Sequence, residues 1–411
     1  MSIGTIREQH LEIDSARGRE LVEAARQLSE PVRVRARQAE INRAVSQEIV
    51  DLAEQAGLLS AMVPKAFGGD GLGFDVLCEV SRVLAAADPS TAWTIAFLME
   101  HNWLVCHMPM EGQRELFADR DNVKVAGALA PTGTAVPVEG GFTLNGHWKY
   151  NSASANSDWI IIGANVLEQG EQIPYAILVP KDQLTVHDDW HMSGMAATSS
   201  ASVTATDVFV PERFAIEVEL FHSAKGHPGA VHEESIYRYP MLFGLTHMMC
   251  AFAVGTAEGA LAIAKDRLAG SKPWGKARSD REASRIRWGM AHQQVRAARL
   301  LYEHSLAWLI RKCDAEEEWS LEEQGQLALD QLAVAHMAKD AVRSLLDGLG
   351  SSPYNLEDPL QRYLRDIHVI ANHLGQDYDV VAERGSRWLL GLGRVETDPF
   401  PARTTERAPR S

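Results

Sequence analysis

The chain has 411 residues, 45% hydrophobic and 23% charged, which is typical of a globular protein with a sizeable core. Its formal net charge of −15 argues against nucleic acid or an anionic membrane as a partner. The N-terminal region has no apolar segment, and no run of about eighteen apolar residues occurs, so we expect neither a signal peptide nor a membrane-spanning helix. The cysteines are too far apart to form a CxxC pair, which predicts reduced thiols in the cytoplasm: Cys78, Cys106, Cys250 and Cys313.

Residues 1–118 form the first predicted domain and have a helical pattern. The stretch EIVDLAEQAGLLSAMVP places apolar residues at helical spacing, with Gly57 where a helix would end. The glycine-rich segment PKAFGGDGLGFD follows, and then two further helical runs, VLCEVSRVLAAAD and STAWTIAFLMEHNWLVCHM. GGDGLG is not GxGxxG and no strand precedes it, so we predict no nicotinamide-binding site here.

Residues 119–220 have a different hydrophobic period and form a predicted β domain. GGFTLNGHWKY joins a Gly-Gly turn to alternating residues, which predicts a hairpin. DWIIIGANV and YAILVP are short apolar runs bounded by polar residues, and ASVTATDVFVP alternates before it ends on a proline. These runs predict mostly strand.

Residues 221–397 return to helical spacing in four long segments, which predicts a C-terminal bundle. The last segment contains RDIHVIANHLGQDYD, which we predict to be helical. Residues 398–411, DPFPARTTERAPRS, are expected to be a mobile tail or a subunit arm. The predicted fold class is therefore α+β, mainly α.

Motifs in all three regions, in this order, resemble those of the acyl-CoA dehydrogenase fold. LAEQAGLLSAMVPKAFGGDG resembles the signature of its first domain, and ALAPTGTA with GGFTLNGHWKY resembles its flavin-contacting strand and hairpin. GMAATSSASVTATDVFVPE resembles its Gly-Met segment, and RYLRDIHV its late Arg-Asp helix. The resemblance covers Arg19 to Gly393. It implies an N-terminal helical domain, a central β-barrel-like domain and a C-terminal four-helix bundle.

One departure from that family concerns the catalytic base. The dehydrogenases place a glutamate shortly after the Arg-Asp pair, and here that position is Leu374, which cannot abstract a proton. No acidic residue occurs between Ser235 and Ala257, where the other known placement would fall. The sequence is more similar to a sister group, the oxygenase components of two-component aromatic monooxygenases. That group carries a histidine at the position of His373 and a serine that resembles Ser152.

The resemblance to the sister group implies a reaction. Reduced flavin from a separate NAD(P)H-dependent flavin reductase reacts with O2 to give a peroxide on flavin carbon C4a, which then oxygenates an aromatic substrate. Ser152 is expected to form a hydrogen bond near flavin N5, and His373 to act as a base or hydrogen-bond partner for the substrate. Asp377 is predicted to lie on the same helix face as His373 and to fix its tautomer. FMN is the expected flavin, with FAD as the alternative.

The remaining candidate residues have alternative structural interpretations. His101 resembles a pocket-lining histidine or is a core residue, and Trp190 either walls the flavin site or is structural. Arg238 faces the flavin or substrate, or forms a surface salt bridge. His368 lies about 140° from His373 on a helix, so we predict no metal site. The resemblance further implies that the flavin is contacted by Ala128, Ala130, Thr132, Tyr150, Asn151 and Ser152.

The predicted function is hydroxylation of a small aromatic or heteroaromatic substrate by a cytoplasmic homotetramer. An acyl-CoA dehydrogenase-like oxidoreductase with an unrecognised base and a flavin-dependent N-oxygenase of an amino-sugar remain as alternatives.

Overall fold

The structure, a computed structural model, describes residues 13–168, 170–222, 226–270, 277–395 and 398. Its N-terminal part is helical, as the apolar spacing predicts. Gly57 follows the second helix with a φ of 81°, a conformation that glycine adopts without a steric penalty. The helices are α1 (Ala16–Asn42), α2 (Gln47–Gln55), α3 (Phe74–Ala85), α4 (Pro89–Val105) and α5 (Met110–Leu116).

The central part is one twisted sheet in the strand order β5-β6-β2-β1-β3-β4-β7. The predicted hairpin joins β1 to β2 through Gly140, whose φ is 78°. β1 and β3 pair in parallel, and the other neighbouring strands pair antiparallel. The strands are β1 (Val125–Val138), β2 (Gly141–Asn151), β3 (Trp159–Glu168), β4 (Glu171–Pro180), β5 (Thr185–Val186), β6 (Ala201–Pro211) and β7 (Ala215–Glu217).

The C-terminal part is a helical bundle that follows the short helix α6 (Val218–His222). The stretch Phe243–Gly270 is long and apolar enough to cross a membrane, but 78% of its most apolar window is buried inside the protein. Its apolarity is therefore that of a core helix. The bundle helices are α7 (Met241–Gly270), α8 (Glu282–Asp314), α9 (Leu321–Asp347), α10 (Pro359–Ile370) and α11 (Tyr378–Leu389).

The prediction of one helix through RDIHVIANHLGQDYD is wrong. α10 ends at Ile370, and α11 begins at Tyr378 after a short 3-10 turn, Leu374–Gln376. Asp377 is the N-cap of α11, where its side chain accepts a hydrogen bond of 3.1 Å from the Val380 N–H. A capping carboxylate satisfies an otherwise orphan N–H, which favours a new helix start here.

One hydrophobic core runs through the N-terminal helices, the sheet and the bundle. All four cysteines are buried free thiols within the described residues. Of the predicted domain limits, 118–119 falls between α5 and β1, and 220–221 falls inside α6. The predicted tail lies outside the described residues, except for Asp398.

Candidate active site

The site is built around Trp93, on a helix that is fixed at its start. Asp88 caps α4 by accepting hydrogen bonds from Thr91, and its other oxygen pairs with the Arg362 guanidinium at 3.2 Å. Both side chains of this ion pair are almost fully buried. Tyr363 donates its hydroxyl to the Ala86 and Ala87 carbonyls just before the cap. α10 therefore fixes the start of α4.

Trp93, Phe97 and His101 lie at four-residue intervals on α4 and form an aromatic row, since this spacing places side chains on one helix face. Trp93 stacks on Phe97 with ring centroids 4.9 Å apart, and the Phe97 ring meets His101 edge-on at 5.2 Å. Phe252 of α7 packs on Trp93 at 5.0 Å. The row forms an apolar wall, the kind of surface that takes a flat ring.

Ser152 and His373 both contact Trp93. The indole Nε1–H donates a 3.1 Å hydrogen bond to Ser152 Oγ, and the His373 ring lies edge-on to the indole with centroids 5.4 Å apart. Ser152 and His373, more than 200 positions apart in the chain, thus contact the same Trp93 indole.

His373 is not on a continuous helix with Asp377. It caps the 3-10 turn instead, and its Nδ1 accepts a 3.3 Å hydrogen bond from the Gly375 N–H. The proton of the neutral ring is therefore on Nε2. His373 keeps an exposed surface, and the protein packed around the rest of it lowers its pKa by desolvation. The tautomer is thus set by a backbone N–H, and the predicted role of Asp377 in fixing it is wrong.

His101 is buried, and both of its ring nitrogens face protein groups. Its Nδ1–H donates to the Val125 carbonyl at 2.7 Å, and Nε2 lies 3.6 Å from Glu100 Oε2. Burial lowers the pKa of His101 to about 4 and raises that of Glu100 well above its ordinary value. Neither Glu100 oxygen has a hydrogen-bond partner among the described residues. We infer a net-neutral buried pair.

The loop before β6 approaches Ser152 and is held by α10. Asp366 Oδ1 accepts a 2.6 Å hydrogen bond from the Met195 N–H, and Met195 has a positive φ of 54°. A Cβ on Gly194 would lie 2.3 Å from the Arg365 carbonyl oxygen, so only glycine permits this close approach. Arg365 also donates to the Ser193 carbonyl.

The residues predicted to contact flavin lie on and beside an opened stretch of β1. The β1–β2 ladder covers Thr134–Val138, and a separate bridge joins Gly127 to Ser152. Between them, residues 128–133 are unpaired with β2 in the described ladder, and the β1–β3 register shifts twice. Gly163 allows this irregular stretch to pack closely, since a Cβ there would lie 2.3 Å from the Leu129 carbonyl oxygen. Ala128, Ala130 and Thr132 lie on this stretch, and their contact with flavin stays a prediction.

The other predicted flavin contacts differ in their surroundings. Trp190 donates its indole N–H to the Met195 carbonyl at 3.1 Å and meets the exposed Tyr150 ring edge-on at 6.0 Å. Asn151 is fully buried, and its Oδ1 has no partner among the described residues. Arg238 is directed to the His232 and Glu233 carbonyls and pairs with Glu316 at 3.3 Å, an arrangement that matches the salt-bridge alternative.

A flavin fits this arrangement. Ser152 has a free acceptor position, the opened β1 edge presents backbone groups, and aromatic rings lie nearby. Trp93, Thr198 and Ser200 were not identified from the sequence, and Asp366 was noted in the Arg-Asp motif without a role. The spacing of Trp93, Phe97 and His101 was a usable signal for the first of them.

Sequence comparisons match both helical regions to one superfamily. The acyl-CoA dehydrogenase N-terminal domain matches residues 15–116, and the acyl-CoA dehydrogenase C-terminal domain matches residues 247–378. A pigment production hydroxylase from Rhodococcus sp. is 31% identical over 363 residues, which cover 87% of this chain and 93% of that protein. The oxygenase component of an FADH2-dependent resorcinol hydroxylase from Rhizobium sp. is 29% identical, covering 87% of this chain and 90% of that one.

Among solved structures, XiaF from Streptomyces sp. in complex with FADH2 and glycerol superimposes with a TM-score of 0.85. It is 26% identical and covers 92% of this chain and 96% of that one.

The buried carboxyl group of Asp366 should make the stability of the protein depend on pH. Burial, together with nearby Asp88, raises the pKa of Asp366 to about 7. Because the folded-state pKa lies above the unfolded one, the folded state binds more protons between about pH 4 and pH 7, and stability is lost as pH rises through that window. The stability of the wild type relative to Asp366→Asn should therefore fall between about pH 4 and about pH 7.

Urea unfolding of both proteins at several pH values measures this difference. Asp182→Asn, at an exposed position, is the control and should show a flat difference. A difference for Asp366→Asn that stays constant or rises with pH would contradict the assignment.

Proposed function

Because this chain belongs to the flavin-dependent monooxygenases that share the acyl-CoA dehydrogenase fold, we propose that it is a two-component oxygenase acting on a small aromatic or heteroaromatic substrate. One observation carries the assignment of the site: Ser152 and His373 contact the same indole, Trp93. The position of the dehydrogenase base is the exposed Leu374, which has no acid–base chemistry.

The bound reduced flavin supplies the electrons that activate O2 for transfer of one oxygen atom. The residues of this chain hold and orient the reactants. Trp93 and Phe97 provide a wall that excludes water. The Nε2–H of neutral His373 donates a hydrogen bond to the substrate oxygen, which orients the ring and stabilises the electron-rich phenolate form.

We assign the supply of reduced flavin to a separate NAD(P)H-dependent reductase. The names of the resorcinol hydroxylase component and of the XiaF complex both include FADH2, which favours FADH2 here, and FMNH2 is the alternative.

We place the enzyme in the cytoplasm, where its buried free thiols stay reduced.

The function is tested by incubating the protein with a flavin reductase, NADH, O2, FAD or FMN, and a panel of phenols and indoles. Mass spectrometry should detect a product with one added oxygen atom. Without the reductase, the protein should not oxidise NADH. NADH oxidation by the protein alone would contradict the two-component assignment, and reduction of bound flavin by an acyl-CoA would support the dehydrogenase alternative.

His373→Ala tests the role of the histidine. Loss of the Nε2–H donor should slow hydroxylation by about 10²–10⁴-fold, the usual contribution of a positioned acid–base group. Oxygen should still be consumed, and hydrogen peroxide should replace the product. Measuring hydrogen peroxide and hydroxylated product in the same reaction distinguishes this uncoupling from unchanged hydroxylation.

The matched control is His368→Ala, an exposed histidine near the end of α10, and it should leave the ratio of product to peroxide unchanged. If a stable His373→Ala protein still converts all the oxygen it consumes into hydroxylated product, His373 has no role in the mechanism.

We further propose a homotetramer assembled through the C-terminal bundle. Large apolar side chains are exposed on its outer surface at Ile286, Met290, Leu390 and Leu392. We propose that these side chains belong to the association surface. Analytical ultracentrifugation should give a tetramer, and Leu390→Glu combined with Leu392→Glu should give smaller species. A monomeric wild type would contradict the proposal.

A further inference from the structure

Behind Ser152 lies a row of three hydroxyl groups. Thr198 Oγ1 lies 2.9 Å from the Met195 carbonyl oxygen and 2.8 Å from Ser200 Oγ. Ser200 Oγ in turn lies 3.0 Å from Ser152 Oγ. All three side chains are buried. Each hydroxyl has a single proton to donate, so the direction of every hydrogen bond in the row can be worked out.

The direction is set at the Met195 end. A carbonyl oxygen only accepts, so Thr198 donates its proton to Met195. Ser200 must therefore donate to Thr198, and Ser152 must donate to Ser200. The indole N–H of Trp93 only donates, and it occupies one acceptor position of Ser152 Oγ. Ser152 thus has no proton left to offer and keeps one acceptor position.

The Met195 end of the row is firmly held. The Met195 N–H binds the buried Asp366 carboxylate, and its carbonyl also accepts the Trp190 indole N–H. The Ala153 N–H donates to the Thr198 carbonyl at 2.9 Å, which ties the loop to the segment that carries Ser152. These contacts hold the hydroxyl row in register with Ser152.

We propose that Thr198 and Ser200 are positioning residues that keep the Ser152 hydroxyl a hydrogen-bond acceptor, and that the site thereby selects reduced over oxidised flavin. Reduced flavin carries an N5–H that can donate to Ser152, whereas oxidised N5 is an acceptor and would face another acceptor. This inference rests on the proposed flavin site. An unmatched buried polar pair of this kind weakens binding by about 5- to 100-fold.

The test is the ratio of the dissociation constants of oxidised and reduced flavin, measured by fluorescence, with the reduced form under anaerobic conditions. Ser200→Ala frees the Ser152 proton to turn toward N5, so the ratio should fall by about 5- to 100-fold, mainly through tighter binding of oxidised flavin. Thr198→Val should have the same effect, because Ser200 can then donate to Ser152 and reverse the row.

Two variants serve as controls. Thr198→Ser keeps the hydroxyl and should keep the wild-type ratio. Ser202→Ala removes a hydroxyl two residues further along the chain, in β6, that is hydrogen-bonded to Asp189, and it should also leave the ratio unchanged.

An unchanged ratio in Ser200→Ala and Thr198→Val, or an equal loss of affinity for both flavin forms, would overturn the proposal. If Ser200→Ala does not fold by circular dichroism, the comparison of Thr198→Val with Thr198→Ser decides. A wild-type protein that binds neither flavin form would instead overturn the proposed flavin site itself.

Discussion

The hydrogen bond from the Met195 N–H to the Asp366 carboxylate is the constraint on which the site depends. Asp366 belongs to α10, the same short helix whose Arg362 holds the capping residue of α4. One helix therefore fixes both the aromatic row and the hydroxyl row, on elements far apart in sequence. Buried ionic groups contribute little net stability, since their desolvation offsets their attraction. We infer that their effect here is to define a single arrangement of the two rows.

The broad architecture was predictable because it follows from hydrophobic period. Helical spacing in the first and last regions and alternation between them predict the layers, and the Gly-Gly turn predicts the β1–β2 hairpin. The break between α10 and α11 was not predicted, because the apolar residues on either side keep an apparently continuous spacing. The signal that could have revealed it was local, namely Asp377 in an N-cap position ahead of Val380 and Val381.

The site was predictable only in part. The resemblance to a known family pointed to Ser152 and His373, and their roles stay predictions. Trp93, which joins them, lies 59 residues from Ser152, and nothing local in either segment indicates that contact. The hydroxyl row likewise depends on the turn at Met195, which has a positive φ and packs against α10 through Asp366 and the neighbouring Gly194. Contacts of this kind come from tertiary structure, which spacing along one element does not encode.

The four cysteines have a consequence for the durability of the enzyme. Each is buried, and burial raises the pKa of every one of these thiols. The thiolate is the form that oxidants attack, so suppressing it slows the conversion of cysteine to sulfenic and sulfinic acids. An enzyme that activates oxygen releases some hydrogen peroxide whenever the activated oxygen is not transferred to a substrate. We therefore expect the buried thiols of this chain to be oxidised slowly by the hydrogen peroxide that it releases.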